Sequence, residues 1–181
     1  MSPADQLTVA RALSVPVVVL LYALDFHGHA YWATAVFCLG MTTDFFDGRL
    51  ARRHGRTSPL GSLLDPIADK VLVLGAMVML VGLGVVPAWM IAAIVVREVL
   101  IGGLRQAAVE RGIVIAARDL GKLKTWAQAI ATALGGFAAA GAWSDRVAWW
   151  SMLVAVVLTC VSGLDYARAA PGLFRQRRAT A

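Results

Sequence analysis

The sequence predicts an all-α polytopic membrane protein, a six-transmembrane-helix bundle with both termini cytoplasmic. Three observations lead there. The 181 residues are 59% hydrophobic and only 15% charged, against about 45–50% apolar and about a quarter charged in a soluble domain. A globule of this size cannot bury such a surplus, because surface-to-volume scaling leaves much of a small domain exposed. Long apolar runs, 71–89 and 147–161 among them, have the length needed to enter a bilayer. Finally, of the 17 Lys and Arg residues all but Arg146 fall on one side of six such segments. That is the positive-inside pattern.

The six spans are expected at 7–24, 30–50, 69–86, 87–104, 121–142 and 147–167 within one domain, 1–181. Each is near the ~20 residues that a helix needs to cross hydrocarbon. β-barrel alternation is absent, so the segments must be helices that satisfy their own backbone hydrogen bonds. No basic n-region precedes the first apolar segment, which is therefore expected to persist as a span. The outer loops, 25–29, 82–87 and 141–146, are short. Trp32, Trp89, Trp143, Trp149 and Trp150 gather near the outer ends, as indole rings do at the membrane interface, with Trp126 toward the inner side.

Other features carry little chemistry. His27 and His29 are expected in a solvated outer loop. Cys38 and Cys160 lie in separate apolar segments and are expected to be small buried hydrophobes. Ala131, Gly135, Gly136, Ala139 and Ala140 would let the fifth helix approach its neighbours closely. The net charge of +6 and pI of about 10 would suggest nucleic-acid binding in a soluble protein. Here the basic residues report topology, so no nucleic-acid partner is expected. The tail with Arg175, Arg177 and Arg178 suits anionic lipid headgroups.

Chemistry enters with four carboxylates. Asp44 and Asp47 close the second span, and Asp65 and Asp69 open the third. The first pair is spaced i,i+3 and the second i,i+4, so each pair shares a helix face. The run 53–60, with His54, Gly55, Ser58 and Pro59, suits a short cytoplasmic turn. The two helices then run antiparallel and bring the four groups together at the inner membrane surface. Four carboxylates cannot stay ionised at close range without countercharge, and only Arg52 and Lys70 are near in sequence. Oxygen-only ligands suit two hard divalent ions, Mg²⁺ or Mn²⁺, which assist displacement at phosphorus.

The run from Asp44 through Gly48, Ala51, Arg52 and Gly61 to Asp65 and Asp69 fits D-x2-D-G-x2-A-R-x8-G-x3-D-x3-D at every fixed position. It resembles the signature of the CDP-alcohol phosphatidyltransferase family, whose members also have six transmembrane helices. The resemblance implies transfer of a phosphatidyl group from CDP-diacylglycerol to an alcohol, with release of CMP. Carried over by position, Asp44, Asp47, Asp65 and Asp69 would bind the metals, and Asp69 would also be the general base. Thr8, Asp47, Gly48, Ala51, Arg52 and Gly61 would meet the CDP-lipid, Gly48 and Ala51 by leaving room at the helix backbone. A homodimer in a bacterial inner or plasma membrane, with the site at its cytoplasmic face, is likewise implied.

The acceptor is read from a second basic group. Arg97 lies within the fourth span, where a charge should face the protein interior, and Arg105 follows on roughly the same face. Arg118, Lys122 and Lys124 lead into the fifth helix. Cations converging on one cavity suit an acceptor that itself carries phosphate; a cationic alcohol would be repelled. The stretches 97–105, 121–128, 63–72 and 7–11 are similar to the branch of the family that uses sn-glycerol 3-phosphate and makes phosphatidylglycerophosphate. The segment preceding Leu7, Ser2 to Gln6, departs from that branch's usual text. Inositol phosphate, or phosphatidylglycerol as in a cardiolipin synthase, is the alternative acceptor on the same chemistry. A cation- or proton-coupled transporter and an Asp-rich prenyl transferase are the rivals of other classes.

Overall fold

The structure, a computed structural model, describes residues 3–54, 59–110, 112 and 119–176, with side chains for 10–43, 67–68, 70–110, 112 and 120–168. These residues hold six helices and no strand: α1 (Pro3–Ala23), α2 (His29–His54), α3 (Pro59–Gly82), α4 (Ala88–Glu110), α5 (Asp119–Ala139) and α6 (Asp145–Gln176). All six expected helices are present. Several run further than the apolar segments that predicted them. α3 begins at Pro59 rather than at Asp69 and stops at Gly82 rather than Val86, while α4 and α6 continue past 104 and 167. Apolarity marks the stretch suited to lipid, whereas the backbone ladder continues until capping or turn chemistry stops it.

Two of those stops are legible atom by atom. At the end of α3, Gly84 (φ 74°) donates to the Val81 carbonyl at 3.0 Å while Val85 donates to Leu80 at 3.1 Å. At the end of α5, Gly141 (φ 78°) donates to Ala138 at 2.8 Å and Ala142 to Phe137 at 3.0 Å. Both are Schellman closures, in which a left-handed glycine satisfies the last carbonyls. Glycine adopts that backbone without the Cβ clash of other residues. The result is two tight turns on the expected outer side.

α1 packs on α2 and α3, α5 on α6, α2 and α3, and α4 on α6 and α3, while α2 and α3 touch only lightly. Val18, Phe37, Leu72, Met77, Leu80, Met90, Ile94 and Met152 fill the core. The small residues of α5 work as expected. A side chain at Gly135 would strike Leu80 of α3, and one at Gly136 would strike the Tyr22–Thr34 hydrogen bond between α1 and α2. Hydroxyls inside the helices return to their own backbone: Thr34 to Ala30, Thr42 to Cys38, Thr43 to Leu39 and Thr132 to Gln128. That satisfies a polar group in an apolar setting with no water.

The outside is apolar as well. Leu13, Leu20, Val99, Leu100, Trp150, Val154 and Leu164 are all exposed, more than a soluble monomer usually shows. Asp145–Arg168 is long and apolar enough to cross a membrane, and Ala10–Ala23 and Lys70–Gly82 are shorter apolar stretches. Tyr31, Phe137 and Trp143 cluster at the end where α2 starts and α5 stops, Tyr31 tilted on Phe137 at 6.0 Å between centroids and Trp143 edge to face with it at 5.6 Å. Two expectations need correction. Cys160 is exposed, because it lies on the outward face of α6. His29 is the first residue of α2, half-buried with its ring 6.0 Å from Phe26, so only His27 is a solvated loop residue.

Candidate active site

The alternating helices bring the C-terminal parts of α2, α4 and α6 and the N-terminal parts of α3 and α5 to one end of the bundle. There they enclose a cavity of about 440 Å³, whose lining includes Met41, Lys70, Arg97, Arg105, Lys122 and Lys124. Four of the five basic residues expected to meet the acceptor phosphate therefore share one space. Arg118 lies outside the described residues. Glu98, Thr125, Gln128, Ser162, Asp165 and Tyr166 add further polar groups to the lining.

Among the described residues, five cations and two carboxylates thus line one cavity. At the centre is Glu98, with its side chain only 7% exposed. Lys124 donates to its Oε1, Arg97 donates to the same oxygen through NH1 at 3.1 Å, and Lys70 stands 3.7 Å from Oε2. Arg97 also donates through NH2 to Ser162 Oγ at 2.9 Å. Its stem passes close to the α6 backbone, where a Cβ on Gly163 would come within 3.1 Å of Arg97 Cγ. Deeper in, Gln128 donates to Thr159 at 2.8 Å and links α5 to α6. Among the described residues Lys70 meets Glu98; the aspartates it was expected to offset have side chains outside them.

The aspartates are placed by backbone alone. Asp44 and Asp47 lie on the last turns of α2, one turn beyond cavity residue Met41, and Asp65 and Asp69 lie on α3, Asp69 beside cavity residue Lys70. Both helices are continuous through these positions, so the i,i+3 and i,i+4 spacings keep each pair on one face. The side chains of Asp44, Asp47, Asp65 and Asp69, and of Thr8, Gly48, Ala51, Arg52 and Gly61, lie outside the described residues. Among the described residues no group of His, Cys, Asp or Glu is arranged to hold a metal ion. The donor set still fits one by its chemistry: the four candidates offer oxygen only, as Mg²⁺ and Mn²⁺ require.

Sequence reasoning assigned no role to Glu98, Ser162, Asp165 or Tyr166. For Glu98 and Asp165 a signal existed, since an ionisable group within an apolar segment tends to face a cavity and a partner. Ser162 carried none, because a serine hydroxyl on an apolar helix most often bonds its own backbone, and Tyr166 read as an ordinary packing residue of α6.

The chain is similar to known proteins over most of its length. The family model described as CDP-alcohol phosphatidyltransferase matches residues 1–161. The chain is 35% identical over 180 residues to the CDP-diacylglycerol–glycerol-3-phosphate 3-phosphatidyltransferase of Bacillus subtilis, covering 90% of this chain and 91% of that one. It is 36% identical over 170 residues to the enzyme of the same name from Escherichia coli K12, covering 91% and 92%. It is 39% identical over 166 residues to a probable phosphatidylglycerophosphate synthase of Mycobacterium tuberculosis, covering 90% and 78%. With a signature met at every fixed position and a family model spanning most of its length, this chain belongs to the CDP-alcohol phosphatidyltransferase family.

Proposed function

We propose that this protein transfers the phosphatidyl group of CDP-diacylglycerol to sn-glycerol 3-phosphate, giving phosphatidylglycerophosphate and CMP. The observation that carries the choice of acceptor is the cavity: Arg97, Arg105, Lys122 and Lys124 line one space beside the aspartate-bearing turns. The names of the similar bacterial enzymes support the same acceptor.

The acceptor's phosphate lies among these cations, the two arginines offering forked contacts and the two lysines point charges. This directs its free primary hydroxyl toward α3. Asp69 takes the proton of that hydroxyl as the oxygen attacks the phosphatidyl phosphorus. The new P–O bond forms as the phosphorus–oxygen bond to CMP breaks, and CMP leaves with the electron pair. Thr8, Asp47, Gly48, Ala51, Arg52 and Gly61 hold the CDP-lipid. Asp44, Asp47, Asp65 and Asp69 would hold two divalent ions, Mg²⁺ or Mn²⁺, which offset the pyrophosphate's charge and ease the departure of CMP. Divalent ions are the general requirement of this family.

The six helices form one membrane domain with both termini and the active site at the cytoplasmic face of a bacterial membrane. The one-sided basic residues, the apolar exterior and the outer aromatic cluster support that placement. A homodimer is part of the same proposal. The test is CMP release from CDP-diacylglycerol by the purified protein in detergent. Release should depend on glycerol 3-phosphate and yield phosphatidylglycerophosphate. Faster turnover with inositol phosphate or phosphatidylglycerol would overturn the acceptor, and no CMP release with any alcohol would overturn the reaction.

A further inference from the structure

We propose that Glu98 is a positioning residue for the acceptor's phosphate, its carboxylate holding the Arg97 guanidinium and the Lys124 ammonium where a phosphomonoester dianion needs them. This rests on the acceptor cavity proposed above and deepens it. Glu98 gathers cations from three helices: Lys70 of α3, Arg97 of its own α4 and Lys124 of α5. The side chains of Glu98, Lys124 and Arg97 are 7%, 9% and 11% exposed. An uncompensated charge in a low-dielectric interior is costly. Among the described residues, the buried carboxylate of Glu98 is shared by two buried cations, Arg97 and Lys124, and by the half-exposed Lys70, all lining one open space. Two buried cations held by one carboxylate at the wall of a cavity point to an anion as the group they meet.

The geometry separates holding from binding. Arg97 is gripped from both sides, by Glu98 through NH1 and by Ser162 of α6 through NH2 at 2.9 Å, with its stem laid along Gly163. Each terminal nitrogen carries a second N–H, and the Lys124 ammonium has two donors beyond the one it gives Glu98. Without the carboxylate, two buried cations would repel each other, and the flexible lysine stem would let Lys124 move away. Opposing this, removing a negative charge would by itself draw an anion in more strongly. The two effects have opposite signs, which makes the role measurable.

The experiment is steady-state kinetics of the full-length enzyme with Glu98→Gln, which keeps shape and removes charge. The expected result is a KM for glycerol 3-phosphate raised about 10-fold or more, with the KM for CDP-diacylglycerol within about twofold of the parent. Competitive inhibition by inorganic phosphate should weaken by a similar factor, and Glu98→Asp should recover part of the loss. In a double-mutant cycle with Lys124→Met, the two changes should be non-additive, because one acts through the other. A lowered acceptor KM, an equal rise in both KM values, or full additivity would overturn the proposal. Should Glu98→Gln fail to fold, Glu98→Asp decides: a selective rise of a few-fold in the acceptor KM supports the role, and an unchanged one overturns it. Arg105→Ala separates the two levels. If it raises the acceptor KM while Glu98→Gln does not, only the role of Glu98 falls. If neither variant affects acceptor use, the cavity itself is misassigned.

Discussion

In the middle of the bundle, the Tyr22 hydroxyl lies 2.9 Å from Thr34 Oγ1, Thr34 donates on to the Ala30 carbonyl, and Gly136 of α5 closes over the pair. At the charged end, Glu98 receives Lys124 and Arg97, stands 3.7 Å from Lys70, and lines an open cavity with them. Both regions are polar groups set among apolar helices. The first is neutral and closes on itself, so its effect is to lock three helices together. The second is charged and lines a cavity, where the proposed acceptor phosphate would meet it. The difference teaches how to tell a structural polar contact from a binding one in a small bundle: ask whether the group borders an open space, rather than how deeply it is buried.

The comparison predicts that damage at the charged end appears in chemistry, and damage in the middle in stability. The largest effect should follow metal removal: stripping with excess EDTA should abolish CMP release, and added Mg²⁺ or Mn²⁺ should restore it. Full turnover in the chelator would break the two-metal proposal. Next, Asp69→Asn should lower turnover by about 10²–10⁴-fold, the usual contribution of a general base. Binding of CDP-diacylglycerol, measured by calorimetry in detergent, should be largely retained. A variant with near-parent turnover would remove Asp69 as the base.

Smaller losses should sort by region. Arg97→Ala deletes a charge-assisted contact worth about 1.5–3 kcal/mol, so the KM for glycerol 3-phosphate should rise by roughly 10- to 150-fold. The KM for CDP-diacylglycerol should move far less, and an equal rise in both would make Arg97 an anchor. The smallest effect on catalysis should come from Gly136→Val in the middle of the bundle. A side chain there collides with Thr34 and the Tyr22 hydroxyl, and overpacking of this kind costs about 1–3 kcal/mol. The melting temperature in detergent should fall while both KM values hold. A selective change in acceptor KM would show that the two regions are coupled after all.

The sequence by itself determined the six helices, because apolar segments of bilayer length separated by short charged or glycine-containing breaks have few other ways to satisfy their backbone. It also determined the metal-site candidates: Asp44, Asp47, Asp65 and Asp69 are close in the chain, and helical periodicity alone puts each pair on one face. Arg97, Arg105, Lys122 and Lys124 were legible as a group by sign and by side of the membrane. What only the tertiary structure decided is what they share. Glu98 and Lys124 are distant in sequence and lie on different helices; Ser162 and Gly163 are further away still. Their meeting depends on how α4, α5 and α6 rotate and approach, which is set by contacts such as Gly163 against the Arg97 stem. The same applies to the approach of Lys70 on α3 to Glu98 on α4. Short-range periodicity fixes which residues share a face, whereas interhelical packing fixes which faces meet.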